Sequence, residues 1–180
     1  MSVIDEALKR NALYATNYSG SQLPRPPKLE LAVIGCMDAR INYSALLGLE
    51  DGDAIIITDA GGMVTEEILR SVTIAERGPK VREVMYIGHT DCGIATEDDK
   101  AYRDKLEAET GARPPWSIKA LTDVDDYVRD SVETILNYPF ITLTNVRGFV
   151  FDIETGLLRE VENRDSAPGA PIVESTHSPR

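Results

Sequence analysis

At 180 residues and a net charge of −11, the chain suits one domain with a substantial core and lacks the basic balance that would bind nucleic acid or an anionic membrane through charge. No run approaches the roughly 18 apolar residues of a membrane span, and Met1-Ser2-Val3-Ile4-Asp5-Glu6 carries acids where a signal peptide needs positive charge. The expected location is the cytoplasm, where the two cysteines read as ligands or buried thiols rather than as a disulfide.

Residues 3–17 place Ile4, Ala7, Leu8 and Leu13 near one helical face. Pro24, Pro26 and Pro27 then force an extended connection. The apolar run 29–35 has strand length and ends at Cys36; residues 42–48 predict a short helix closed by Gly48. Ala54-Ile55-Ile56-Ile57 is β-branched and too short for a helix, which makes it the second strand. After the flexible turn Ala60-Gly61-Gly62, Thr65 with Glu66 and Glu67 opens a helix expected to reach Arg77, where Gly78-Pro79 stops it. Val84-Met85-Tyr86-Ile87 is the third strand and leads into Gly88-His89. Residues 97–110 read as a polar helix, and 123–137 as a helix with Val124, Val128, Val132 and Ile135 on one stripe. Segments 149–153 and 157–161, joined through Glu154-Thr155-Gly156, predict a β-hairpin. From residue 162 the composition of Pro, Ser, Gly and charge predicts a disordered tail, in which His177 is solvent-exposed.

Strands alternating with helices imply an α/β fold with a mostly parallel central sheet flanked by helices. Such sheets place ligands beyond the carboxyl ends of their strands. There the chain puts both of its cysteines and one of its two histidines: Cys36-Met37-Asp38-Ala39-Arg40 closes the first strand and His89-Thr90-Asp91-Cys92-Gly93 the third. Zinc prefers Cys and His in tetrahedral sites, and three protein ligands leave a fourth position for water, the pattern of a catalytic centre. His89-x-x-Cys92 spans one tight turn, so both side chains reach one ion, with Cys36 arriving from another strand. Each residue alone reads more readily as a small buried hydrophobe or a hydrogen-bonded loop histidine; the set points to zinc, one ion per chain.

Cys36-x-Asp38-x-Arg40 followed by His89-x-x-Cys92-Gly93 resembles the signature of the β-class carbonic anhydrases. The similarity runs from about residue 3 to 161 and includes the Pro-rich lead-in, Ala60-Gly61-Gly62 and Arg147-Gly148-Phe149-Val150-Phe151, as in a compact group of small bacterial members. It implies a single zinc domain over residues 1–161, a parallel-sheet fold, zinc held by Cys36, His89 and Cys92, and a catalytic Asp–Arg pair formed by Asp38 and Arg40. It also implies a homodimer or larger homo-oligomer, with the N-terminal helix packed across the partner. The implied reaction is reversible hydration of CO₂ to bicarbonate by zinc-bound hydroxide, which zinc generates near neutral pH. Two thiolates make this zinc a weaker Lewis acid than three histidines would, so neighbouring groups carry more of the work. Asp38 is expected to accept a hydrogen bond from the hydroxide, with Arg40 holding it ionised; alternatively Asp38 closes the fourth position, or the pair only fixes its loop.

A close branch of the fold hydrolyses carbonyl sulfide or carbon disulfide, so a hydrolase using the same site is the second reading and a non-catalytic zinc protein the third. Many members carry Arg-Asn where this chain has Thr58-Asp59, and a glutamine upstream of the first cysteine where this chain has Pro27. If Asp59 faces the pocket it disfavours bound bicarbonate; otherwise it caps a turn or pairs with a basic neighbour. Asp91, between two ligands, is expected to stabilise its turn through local backbone hydrogen bonds.

Overall fold

The computed structural model of the protein describes residues 2–95, 97–118 and 123–163. The expected tail from residue 164 onward, His177 included, lies outside the described residues. The first helix, α1 (Val3–Ala15), opens with a capping box: the Ser2 hydroxyl accepts from the Asp5 N–H and the Asp5 carboxylate accepts from the Ser2 N–H. It ends at Ala15 rather than residue 17, and it buries none of its residues; Val3, Ile4, Leu8 and Leu13 are exposed.

Five strands follow: β1 (Leu31–Cys36), β2 (Ala54–Asp59), β3 (Glu83–His89), β4 (Asn145–Phe151) and β5 (Leu158–Val161). They form one sheet in the order β2-β1-β3-β4-β5, parallel throughout except for the antiparallel β4–β5 pair. The mostly parallel sheet and the late hairpin therefore match expectation, with shifted boundaries. β1 starts after Glu30, whose φ of 51° breaks the strand. β2 and β3 run two residues further than the apolar runs suggest, to Asp59 and His89. β4 begins at Asn145, because its first half pairs with β3 before its second half pairs with β5.

Four further helices connect the strands: α2 (Tyr43–Leu47), α3 (Glu66–Arg77), α4 (Asp99–Thr110) and α5 (Val124–Leu136). Thr65 caps α3 by accepting from the Ile68 N–H, and Asp123 caps α5 by accepting from the Asp125 and Asp126 N–H groups. Both helices lay an apolar stripe on the same face of the sheet. Ile68, Leu69, Val72 and Ala75 of α3 and Tyr127, Val128, Val132 and Ile135 of α5 enclose Ala32, Ile34, Val84, Tyr86, Val146 and Val150. The buried carboxylate of Glu76 accepts from the backbone N–H and hydroxyl of Thr142, tying the approach to β4 onto α3. On the opposite face, α2 packs through Tyr43 over Val33 and Ile87, and Leu31, Met85, Phe149, Phe151 and Leu158 are partly buried there. No helix among the described residues is long and apolar enough to cross a membrane.

Candidate metal centre

Strand alternation and parallel register bring the site together at the carboxyl ends of β1, β2 and β3. Cys36 is the last residue of β1 and His89 the last of β3, neighbouring strands paired through Gly35 and Ile87. Cys92 follows in the turn after β3. The turn after β2 packs beneath them. Gly62, at φ 65°, lies so close that a Cβ there would stand 3.1 Å from the Cys36 nitrogen, and a Cβ on Gly61, at φ 76°, would strike Ile94 at 2.0 Å. Only glycine accommodates both the left-handed backbone and the close approach.

The ligand atoms of Cys36, His89 and Cys92 lie within 4.8 Å of one another, and all three residues are buried. His89 Nδ1 is 2.8 Å from the Thr90 carbonyl. That bond places the ring proton on Nδ1 and leaves Nε2 as the lone-pair atom. Among the described residues Nε2 is buried with no hydrogen-bond partner, which is the arrangement of an imidazole open to a cation. Burial pushes the Cys36 thiol up, but the neighbouring His89 imidazole and the Asp38 and Gly61 backbone outweigh it, and its pKa is lowered. Cys92 is pushed up, first by burial and then by the Cys36 thiol, against the Ile94 N–H. His89 is depressed by burial yet raised on balance by Cys36 and the Thr90 carbonyl. One thiol ready to ionise, a second beside it and an oriented imidazole form a soft donor set suited to zinc.

Next to the trio, Arg40 grips Asp38 by its fork: Nε donates to Oδ1 at 3.0 Å and Nη2 to Oδ2 at 2.8 Å, while the Arg40 backbone N–H donates to Oδ1 at 2.9 Å. These bonds, those of the side chain first, hold the Asp38 carboxyl at a pKa of about 2. Asp91 departs from expectation. Instead of local backbone bonds, its carboxylate accepts from Arg40 Nη1 at 2.7 Å and its carbonyl from Nη2 at 2.8 Å.

Thr58 is exposed at the end of β2, and Asp59 is half-buried there as the register partner of Cys36. Burial lifts the Asp59 carboxyl to about 6 against the opposing Met63 and Gly62 N–H groups, and among the described residues its buried Oδ1 has no hydrogen-bond partner. Among the described residues no basic side chain pairs with it. Pro27 is buried and its carbonyl accepts from the Glu30 N–H at 3.0 Å. Sequence reasoning missed Tyr43, whose buried hydroxyl donates to the Cys36 carbonyl at 2.9 Å. Its only trace is Gly35, where a Cβ would meet that hydroxyl at 2.2 Å.

A buried Cys-His-Cys trio at the open end of a parallel sheet, beside a fork-held carboxylate, is a frame that could hold one metal ion in an α/β protein. The sequence model of carbonic anhydrase matches residues 31–116. β-Carbonic anhydrase 1 of Mycobacterium tuberculosis is 41% identical over 162 residues, covering 89% of this chain and 99% of its own length. The crystal structure of a carbonic anhydrase from Streptococcus mutans superposes with a TM-score of 0.84 at 32% identity, covering 90% of this chain and 99% of that one. A carbon disulfide hydrolase of Acidithiobacillus thiooxidans is 29% identical over 178 residues, covering 83% of this chain and 89% of its own length. The chain belongs to the β-carbonic anhydrase family.

Proposed function

We propose that the protein is a zinc-dependent carbonate dehydratase interconverting CO₂ and bicarbonate. The observation that carries this reading is the buried, unpartnered Nε2 of His89 facing two thiols next to a carboxylate clamped by arginine. Cys36, His89 and Cys92 would hold the metal, and zinc there supplies a Lewis acid that brings the pKa of water toward neutrality.

What the chain itself does is concentrated in Asp38. A carboxyl with a pKa of about 2 is too weak a base to remove a proton at neutral pH, so Asp38 orients rather than deprotonates. Arg40 fills both acceptor positions of Oδ1 and one of Oδ2, which leaves one lone pair on Oδ2 to accept from the attacking oxygen. That bond turns the nucleophile's remaining electron pair toward the substrate carbon. Arg40 keeps Asp38 ionised and in place.

The second reading, hydrolysis of carbonyl sulfide or carbon disulfide, is favoured by Asp59. An ionised carboxyl at the register partner of Cys36 disfavours an anionic product such as bicarbonate and is indifferent to neutral, apolar substrates. The same proposal includes a homodimer in which α1 of each protomer packs on its partner: α1 buries nothing in its own chain, and the sheet face under α2 is only partly covered.

Stopped-flow CO₂ hydration between pH 6.5 and 9 on protein of assayed zinc content tests the reading. The expected result is a zinc-dependent rate that Asp38→Asn lowers by at least about a hundredfold without loss of metal. No rate at full zinc occupancy overturns it, and carbonyl sulfide hydrolysis is then measured on the same protein.

A further inference from the structure

We propose that Asp91 is a positioning residue: it fastens Arg40 to the loop after β3 and so keeps Asp38 paired with Arg40 rather than bound at the metal site. This rests on the reading of Asp38 given above. Asp38 and Arg40 belong to one loop, two residues apart, and their bonds to each other cannot by themselves set where the pair stands relative to His89 and Cys92. The two bonds to Asp91 span 51 residues of sequence and join the pair to the other ligand-bearing loop.

The guanidinium geometry makes this joint directional. Nε and Nη2 face Asp38, while Nη1 meets the Asp91 carboxylate and the second N–H of Nη2 meets the Asp91 carbonyl. The group is planar, so the Asp91 contacts fix the plane in which Asp38 is gripped. Without them, Arg40 is a half-exposed side chain on a flexible stem, tethered only to the carboxylate it is meant to hold. A released Asp38 is a free carboxylate beside a zinc ion, for which it is itself a competent ligand.

Two features separate this role from simple maintenance of the turn. Asp91 sits at φ 54°, a conformation glycine adopts more readily, so removing the side chain as far as glycine leaves the backbone of the turn unstrained. The carboxylate is also 79% exposed, so removing it leaves no buried hole.

The test compares wild type, Asp91→Gly and Asp91→Asn, each loaded with zinc and, separately, with cobalt. Gly keeps the backbone carbonyl and suits the positive φ; Asn keeps an acceptor oxygen but loses the charge. In Asp91→Gly at unchanged metal content, kcat for CO₂ hydration is expected to fall roughly three- to tenfold with little change in KM, the weight of one largely solvent-exposed, hydrogen-bonded ion pair. The visible spectrum of the cobalt protein is expected to shift, as a carboxylate replaces solvent on the metal, and the shift is expected to vanish in Asp38→Asn/Asp91→Gly. Asp91→Asn falls between wild type and Asp91→Gly.

A wild-type spectrum and kcat in Asp91→Gly overturn the proposal, as does a spectral shift that persists without Asp38. Should Asp91→Gly fail to retain metal, Asp91→Asn decides: wild-type kcat and spectrum at full metal content also overturn it. The cobalt spectrum reads the position of Asp38 whether or not CO₂ is the substrate, so failure of the proposed reaction and failure of the proposed role of Asp91 remain distinguishable.

Discussion

Replacing Gly148 with alanine tests how α5 is seated over the sheet. Val128 of α5 is fully buried and rests on two glycines of adjacent strands, Gly88 of β3 and Gly148 of β4. A Cβ at 148 would lie 2.4 Å from Val128 Cγ1 and 3.0 Å from Val132 Cγ2, where unstrained carbons sit about 3.5–4.0 Å apart. Neither side yields easily, since a central strand faces a helix packed along its whole stripe. The expected loss is therefore at the upper end of overpacking effects, about 3 kcal/mol. Val128→Ala alone empties part of the same space and should cost about 2 kcal/mol. In the double variant the new methyl occupies what the valine vacated, so the pair should be destabilised by little more than Val128→Ala alone, a coupling of about 2–3 kcal/mol. Urea unfolding at one fixed protomer concentration measures this cycle. Additive losses, or a single Gly148→Ala variant within about 0.5 kcal/mol of wild type, would refute the seating argument.

Cys92→Ser exchanges a thiolate for an alcohol that zinc holds poorly, so zinc per chain should drop below roughly half after dialysis while far-UV circular dichroism is retained; undiminished zinc would remove Cys92 from the ligand set. Asp59 carries a pH signature in the metal-free protein. Its carboxyl titrates at about 6 in the folded state against about 3.9 unfolded. The folded state binds more protons between these values, so this group's contribution lowers stability as pH rises from about 4 to about 6. Asp59→Asn should abolish that slope and stabilise the metal-free protein by about 1 kcal/mol at pH 8, discounted for a half-buried group, with no gain at pH 4; identical pH profiles of the two proteins in thermal unfolding would refute the burial argument.

The parallel sheet and the meeting of Cys36, His89 and Cys92 were legible because both are written in short-range terms: apolar runs of strand length, and Cys and His at their ends. The register confirmed what the runs implied by ending β1 at Cys36 and β3 at His89. β4 was half hidden, since Arg147 and Gly148 interrupt its apolar pattern. In the structure Arg147 is exposed over Phe149, and Gly148 is bare so that Val128 can approach. The bond from Arg40 to Asp91 and the one from Tyr43 to the Cys36 carbonyl were illegible for a different reason. Each depends on how a side chain crosses between loops, and no spacing in the chain encodes that. Asp91 in particular looked like a turn residue, and its positive φ agrees with that; only its partner shows the rest.

The helix α1 has thirteen residues and a sound cap, yet none of them is buried. A helix of that length standing alone in water is marginal, so its order draws on whatever covers Val3, Ile4, Leu8 and Leu13. In the dimer proposed above, coiling of the arm and association of the protomers become a single equilibrium, and dilution melts the arm as it separates the pair. Kinetic assays run at low enzyme concentration then sample a different arm from spectroscopy on concentrated protein, and the two are comparable only when the protomer concentration is matched.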